Sequence, residues 1–266
     1  MKADFHVHSS FSADSNSPLS EMVERGISSG LDTICFTEHM DFDLCTEGIL
    51  FEADTTAYQK EFEYCKQKYA SQIELLFGIE LGLQPHLAGR LQDYLAQWPF
   101  DFIIGSSHLV DGMDPYYPTC FEHQTEADIY RKYFLTISEN LETFSNIDVY
   151  GHLDYVVRYG PHKNKYYSYE KYQSELDKAL HSIIHHGLGI ELNTSGYRHG
   201  LGFPNPHPDI LKKYREMGGE IITVGCDAHH PAHLAHSFPQ ANELLKECGF
   251  RYYTIFRNRT PAFIKL

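Results

Sequence analysis

His6 and His8 are separated by one residue, the spacing that sends two side chains to the same side of a β-strand. Two imidazoles so placed can grip one metal ion. Alone, such a pair is more often just two buried or surface histidines, so its meaning depends on its company. That company is His39, Glu80, His108, His152, Asp227 and His229, each directly after a short apolar run. A mononuclear site uses three or four protein ligands, so at least eight candidates point to two or three ions. Mixed imidazole and carboxylate donors suit zinc, manganese or iron better than calcium, which prefers oxygen alone. Asp14 is a further candidate, although from position alone a helix-capping or solvated Asp competes almost evenly.

Those residues need a scaffold that delivers them to one place. The chain has 266 residues, 17 of them His, with 17 Phe, 19 Tyr and a net charge of −14. The aromatic and aliphatic content excludes disorder, and no run approaches the roughly 18 apolar residues of a membrane span. The first residues hold no apolar segment of a secretory signal, so a cytoplasmic protein is expected. The acidic balance argues against a nucleic-acid or anionic-membrane partner. The six Cys show no CxxC spacing, and Cys35 and Cys226, in apolar strand-like runs, read as buried small hydrophobes.

Strand-like runs fall at 3–8, 33–37, 74–78, 102–106, 148–152, 189–193 and 220–225, with a weaker eighth at 252–256. Helical patterns lie between them, from Pro18 to Gly30 and at 55–70, 86–97, 126–142, 169–186, 209–217 and 240–248. Strict alternation predicts a parallel sheet with helical crossovers. Seven or eight such units favour one closed α/β barrel over residues 1–266 rather than an open sheet. Barrel enzymes carry their chemistry at the C-terminal ends of the strands. Every predicted barrel strand delivers His, Asp or Glu at that end, including six of the 17 histidines.

Taken in order, Asp4-Phe5-His6-Val7-His8, Thr37-Glu38-His39, Gly78-Ile79-Glu80, Ser106-Ser107-His108, Gly151-His152-Leu153-Asp154 and Asp227-Ala228-His229 resemble the motifs of the polymerase and histidinol phosphatase (PHP) superfamily. Ser107-His108-Leu109-Val110-Asp111-Gly112 and the chain length resemble its histidinol-phosphatase branch. The resemblance implies a distorted (β/α)7 TIM-like barrel, which makes the weak 252–256 strand a terminal accessory. It also implies a trinuclear site. His6, His8, Glu80 and Asp227 correspond to one ion, Glu80, His108 and His152 to a second bridged by Glu80, and Asp14, His39 and His229 to a third. Asp4 and Asp154 are then either acceptors that fix imidazole tautomers or ordinary strand-end caps.

Two divalent ions can share one water, lower its pKa and present hydroxide in line with phosphorus. A third, with cationic side chains, can hold the phosphoryl oxygens. Arg158 and Arg198 follow strand ends and are similar to phosphate-binding arginines of this branch, and His39 joins them as a phosphate contact. Asp227 and His229 are both candidates to protonate the leaving alcohol. Asp41, Asp43, Asp111, Asp114 and Phe121 are candidates to recognise the amine and imidazole of the substrate.

The leading expectation is hydrolysis of L-histidinol phosphate to L-histidinol and phosphate in histidine biosynthesis. The alternatives are a phosphoesterase acting on nucleotides, nucleic acid or phosphotyrosine, and a non-catalytic metal-binding regulatory domain. Of the other histidines, His185 and His186 close a helix before Gly187, and His230, His233 and His236 read as surface residues. The long glycine- and proline-rich stretch 195–208 is a candidate loop for closing over substrate.

Overall fold

A computed structural model describes residues 1–266. Seven parallel strands form one sheet: β1 (Ala3–Val7), β2 (Thr33–Thr46), β4 (Glu74–Gly82), β5 (Phe102–Ser106), β6 (Val149–Tyr150), β7 (Gly189–Asn193) and β8 (Ile222–Gly225), with β3 (Ile49–Glu52) antiparallel to β2. Their order is β1-β2-β4-β5-β6-β7-β8, and a bridge from Val7 to Ala228 joins the two ends. A helix follows each parallel strand: α1 (Leu19–Ser28), α2 (Thr55–Lys68), α3 (Ala88–Leu95), α4 (Glu126–Thr143), α5 (Gln173–His185), α7 (Pro208–Glu216) and α8 (Phe238–Glu247), with short α6 (Ser195–Arg198) preceding α7. This is the expected (β/α)7 barrel.

Local sequence explains the elements. The β1, β5 and β7 strands are buried along their whole length, as parallel strands covered on both faces must be. In α1, Leu19, Met22, Val23 and Gly26 make the buried stripe at the three-and-four spacing of a helix face. Asp54 caps α2 by accepting from Ala57 N–H, and Thr125 caps α4 by accepting from Asp128 N–H. Gly187, at φ +71°, takes the left-handed turn that ends α5 just after His185 and His186.

The two ends of the barrel differ. At the N-terminal end, β9 (Tyr252–Arg257) and β10 (Thr260–Lys265) form a hairpin outside the barrel sheet. Asn258 and Arg259 both have positive φ at its two-residue turn, as the tightest hairpins require. Arg257 makes a paired contact with Glu74 at 2.6 and 2.7 Å, and Arg259 Nε lies 2.8 and 2.9 Å from the two Asp148 oxygens. Those carboxylates stand where β4 and β6 begin, so the hairpin covers the barrel bottom. The weak eighth strand is thus a bottom cap with a partner, β10, that the reading did not anticipate.

Two other features depart from expectation. The β2 strand runs nine residues past 37 and folds back as β3, through a turn at Glu47 and Gly48 with φ of 51° and 85°. The 195–208 stretch is pinned rather than free: Asn193 and Asn205 exchange backbone hydrogen bonds at 2.7 and 2.9 Å. No helix is long and apolar enough to cross a membrane.

Candidate metal centre

All nine residues singled out as ligand candidates converge at the C-terminal end of the barrel. Register does part of this: β2 and β4 pair so that His39 lies beside Glu80. The Glu80 carboxylate is fully buried at the centre. Its Oε2 lies 3.1 Å from His6 Nε2, 3.6 Å from His8 Nε2 and 3.3 Å from His39 Nδ1. Its Oε1 lies 2.9 Å from His152 Nε2 and 3.4 Å from His108 Nε2. One carboxylate therefore faces two groups of imidazoles, one with each oxygen. Asp227 Oδ1 is 3.8, 3.6 and 3.6 Å from His6 Nε2, His8 Nε2 and His229 Nδ1. Nearer solvent, Asp14 Oδ2 is 3.1 Å from His229 Nε2 and 3.7 Å from His39 Nε2.

The imidazoles are aimed by groups behind them. Glu191 Oε1 accepts from His6 Nδ1 at 2.6 Å. Glu38 accepts the Ser12 hydroxyl proton at 2.6 Å, which leaves Ser12 Oγ to accept from His8 Nδ1 at 3.0 Å. Asp41 serves two rings, His108 Nδ1 at 2.5 Å and His39 Nδ1 at 3.2 Å. Each contact fixes a proton on Nδ1 and turns Nε2 toward the cluster, so that Nε2 is the atom that would offer its lone pair to a metal.

Of the two readings open for Asp4 and Asp154, the contacts favour strand-end caps. Asp4 accepts from Cys226 N and Sγ, Ala235 N and His6 N. Asp154 accepts from Tyr167 OH, Asn205 Nδ2 and His207 N. Neither touches an imidazole; both tie loops to strand ends. Asp41 lies on the extended part of β2 rather than in a loop, two residues from His39 and therefore on its face. That period-two relation was available in the sequence once the strand was known to continue. Glu191 stood at a strand end and was counted there without a role.

The residues fit a cation by a direct test. His8 Nε2 is buried, makes no hydrogen bond, and lies 3.6 Å from both a Glu80 and an Asp227 oxygen. Burial, then neighbouring His229, His39 and His6, hold the His8 imidazole well below its ordinary pKa, so its lone pair is free. Burial pushes the Glu80 carboxyl up, but His6 and His108 outweigh it and hold it well below the usual range. Asp14 is also opposed by burial, yet His39 and His229 bring it to about 2. Several overlapping triplets place their ligand atoms within 4.8 Å of one another, among them His6, His8 and Glu80; Glu80, His108 and His152; and His8, His39 and His229. Imidazole nitrogen with carboxylate oxygen suits zinc, manganese or iron. His230, His233 and His236 join none of these groups.

A cavity of about 640 Å³ opens over the cluster. Arg158 and Arg198 both line it. Arg158 is buried and donates to Asp227 Oδ2 at 3.0 Å, Asn205 Oδ1 at 2.8 Å and Asn193 Oδ1 at 3.3 Å. Arg198 is held by the carbonyls of Cys226 and Asp227 at 3.0 and 2.9 Å. Of the residues put forward for the amine and imidazole, only Asp114 lines the cavity. Asp43 instead pairs with His86 and Arg90, Asp111 with Lys132, and Phe121 packs against the core. The β2–β3 hairpin, absent from the sequence reading, supplies Leu44, Thr46, Glu47 and Phe51 to the wall.

The PHP domain family matches residues 4–195. The chain is similar to a histidinol-phosphatase of Lactococcus lactis subsp. lactis (strain IL1403), 31% identical over 261 residues, 96% of this chain and 94% of that protein. It is also similar to a probable histidinol-phosphatase of Clostridium acetobutylicum, 30% identical over 94% of this chain and 95% of that one. Its fold matches the crystal structure of the Lactococcus lactis histidinol phosphate phosphatase complexed with zinc, L-histidinol and phosphate, with a TM-score of 0.90, 29% identity and 98% of each chain covered. With the motifs, the barrel and the full-length similarity in agreement, this chain belongs to the PHP domain family.

Proposed function

We propose that this chain is a metal-dependent phosphomonoesterase that hydrolyses L-histidinol phosphate to L-histidinol and phosphate, a step of histidine biosynthesis. The observation that carries the chemistry is the convergence around Glu80 of imidazoles and carboxylates from six of the seven strand ends, beneath a cavity that also holds two arginines. The substrate follows from nearly full-length similarity to histidinol-phosphatases.

In this reading His6, His8, Glu80 and Asp227 hold one ion, Glu80, His108 and His152 a second, and Asp14, His39 and His229 a third. Zinc is supported by the related structure that contains it, and manganese and iron suit the same donors. When bound, the ions supply an activated water and neutralise charge on the phosphoryl group. The chain's own part is positioning. Arg158 and Arg198, held by neighbouring acceptors, direct their remaining N–H groups at phosphoryl oxygens, with His39 on the ion-binding side. Asp227 and His229, with Oδ1 and Nδ1 3.6 Å apart, are the two alternative donors of a proton to the departing alcohol oxygen. The net charge of −14 and a cavity of small-molecule size favour a small phosphate ester over nucleic acid. A cytoplasmic location accords with such a biosynthetic role.

The test is phosphate release from L-histidinol phosphate, beside a nucleoside monophosphate and p-nitrophenyl phosphate, after reconstitution with zinc or manganese and after chelation. A strong, chelator-sensitive preference for histidinol phosphate is expected. Equal or better turnover of the other two would overturn the substrate, and no release by metal-loaded protein would overturn the activity.

A further inference from the structure

The cavity above the metal cluster is divided in charge. Both of its arginines come from one half of the barrel rim, Arg158 after β6 and Arg198 after β7. Two carboxylates outside the metal cluster also line it, and both come from the other half: Glu47 from the β2–β3 hairpin and Asp114 from the β5–α4 connection. The remaining carboxylates of the cavity already have partners, Asp227 with Arg158 and Asp14 with His229. Glu47 and Asp114 pair with no Lys, Arg or His, and the Asp114 carboxylate accepts only from Tyr116 N at 2.8 Å. Tyr116, Tyr117 and Phe51 stand in the wall with them. Faces of aromatic rings and unpaired carboxylates together are what a cation on a flat heteroaromatic body would meet.

The hairpin that carries Glu47 is braced. Arg90 reaches Asp43 on β2 at 3.4 Å and Glu52 on β3 at 3.1 Å, and its guanidinium lies 3.7 Å over the Phe42 ring. The left-handed turn at Glu47 and Gly48 sets the tip at the cavity mouth. Glu47 is thus presented by a supported element rather than by a loose loop.

We infer that Glu47 and Asp114 form a subsite for the cationic leaving group, selecting monoesters whose alcohol carries an ammonium or imidazolium, while the opposite half of the rim holds the phosphoryl group. This inference rests on the reading of histidinol phosphate as substrate and names the residues that would make that choice. Every monoester presents the same dianionic phosphoryl group to the arginines and ions. Discrimination must come from the alcohol end, and these are the only unpaired charges there.

The experiment compares kcat/KM for L-histidinol phosphate, which has a cationic leaving group, with that for p-nitrophenyl phosphate, whose leaving group carries no positive charge. The proteins are the metal-loaded wild type, Glu47→Gln, Asp114→Asn and Glu47→Lys. A hydrogen bond to a charged group is worth roughly a tenfold to hundredfold change. Each neutralised variant is therefore expected to lower the ratio of the two kcat/KM values by about tenfold, through KM for histidinol phosphate. Glu47→Lys is expected to lower it further and to improve turnover of 2-phosphoglycolate, a gain that damage to the fold cannot imitate. Equal losses on both substrates, or an unchanged ratio, would overturn the subsite. The reading of the substrate fails differently, in the wild type itself, if that protein does not prefer histidinol phosphate.

Discussion

Replacing Glu191 by Gln changes one atom and leaves the shape intact, so it isolates what the carboxylate does. Three donors surround this buried side chain: His6 Nδ1–H at 2.6 Å from Oε1, and His152 N–H at 2.9 Å and Asn193 Nδ2 at 3.1 Å from Oε2. A carboxylate accepts from all three. A glutamine amide must turn its NH2 toward one side or the other. If it faces His152 N–H, a buried donor is left opposed and unsatisfied, at about 1–3 kcal/mol. If it faces His6, the ring must accept at Nδ1 and carry its proton on Nε2, the atom 3.1 Å from Glu80 that a metal would use. Groups that orient a metal-bound His commonly contribute 10- to 100-fold in metal affinity, about 1.4–2.7 kcal/mol. Glu191→Gln is therefore expected to bind zinc about 10- to 100-fold more weakly in chelator competition, with circular dichroism unchanged. Much of kcat should return at saturating metal. Wild-type zinc affinity in this variant would refute the argument that Glu191 sets the His6 tautomer.

Four further outcomes follow from the same geometry. A Cβ on Gly82 would sit 2.0 Å from Asp41 Oδ1 and 3.1 Å from Asp41 Cα, so Gly82→Ala should displace the carboxylate that aims His39 and His108; metal analysis should show substoichiometric loading in a folded protein. Asp14→Ala removes the partner of His229 and His39 and should release the outermost ion while the Glu80-centred ions stay; full metal content with unchanged turnover would contradict the three-ion assignment. In protein stripped by chelator, burial lowers His39 but Asp14 and Asp41 raise it to about 9, above the unfolded value of about 6.5. The stabilisation from this pairing, on the order of 1–3 kcal/mol, is complete below pH 6.5 and lost as pH rises through about 9, so the urea midpoint of the stripped protein should fall across that window and do so less in His39→Gln. Asp4→Ala leaves the N–H groups of Cys226, Ala235 and His6 without their acceptor; it should lower Tm by several degrees and do so more in stripped than in metal-loaded protein.

The barrel was readable because two signals coincide: apolar strand runs alternate with helical faces, and each run ends in a ligand-type residue. The candidate ligands were readable because they put His and Glu where packing alone would place Val or Leu. What the sequence hid depends on where a strand stops. The Thr37-Glu38-His39 run looked like an end, since Asp41 and Asp43 are poor strand formers. The strand continues because Asp41 is satisfied by two imidazoles and Asp43 adopts φ 67° at an irregularity in the β2–β3 pairing. Both causes are tertiary. Missing that extension meant missing the hairpin, and with it Glu47 and Phe51. Asp4 and Asp154 show the converse: each stands two residues from a candidate ligand His, as Asp41 does from His39, yet Asp4 is taken up by the N–H groups of Cys226, Ala235 and His6 and Asp154 by Tyr167, Asn205 and His207. The groups that do aim the rings, Glu191 and Asp41, reach His6 and His108 from other strands.

The thinnest join of this barrel is between β8 and β1, and it runs through the candidate metal site. The β2 and β4 strands share eight register pairs and β7 and β8 four. Between β1 and the end of β8 there is a single bridge, Val7 to Ala228, with His8 N–H bonded to Ala228 O at 2.9 Å and a longer contact of 3.4 Å from Ala228 N to His6 O. Val7 lies between His6 and His8, and Ala228 between Asp227 and His229. The ligands therefore flank the bridge on both sides, with His6 and His8 facing Asp227 across it. An ion held by all three would span the join and add links across it. Asp4, accepting from Cys226 N–H at 3.0 Å, performs the same closure one layer below with a side chain. Metal binding would then be linked to closure of the barrel, because an ion that binds only the closed arrangement stabilises it by mass action. This linkage is why the loss of Asp4 should weigh more on the stripped protein than on the loaded one.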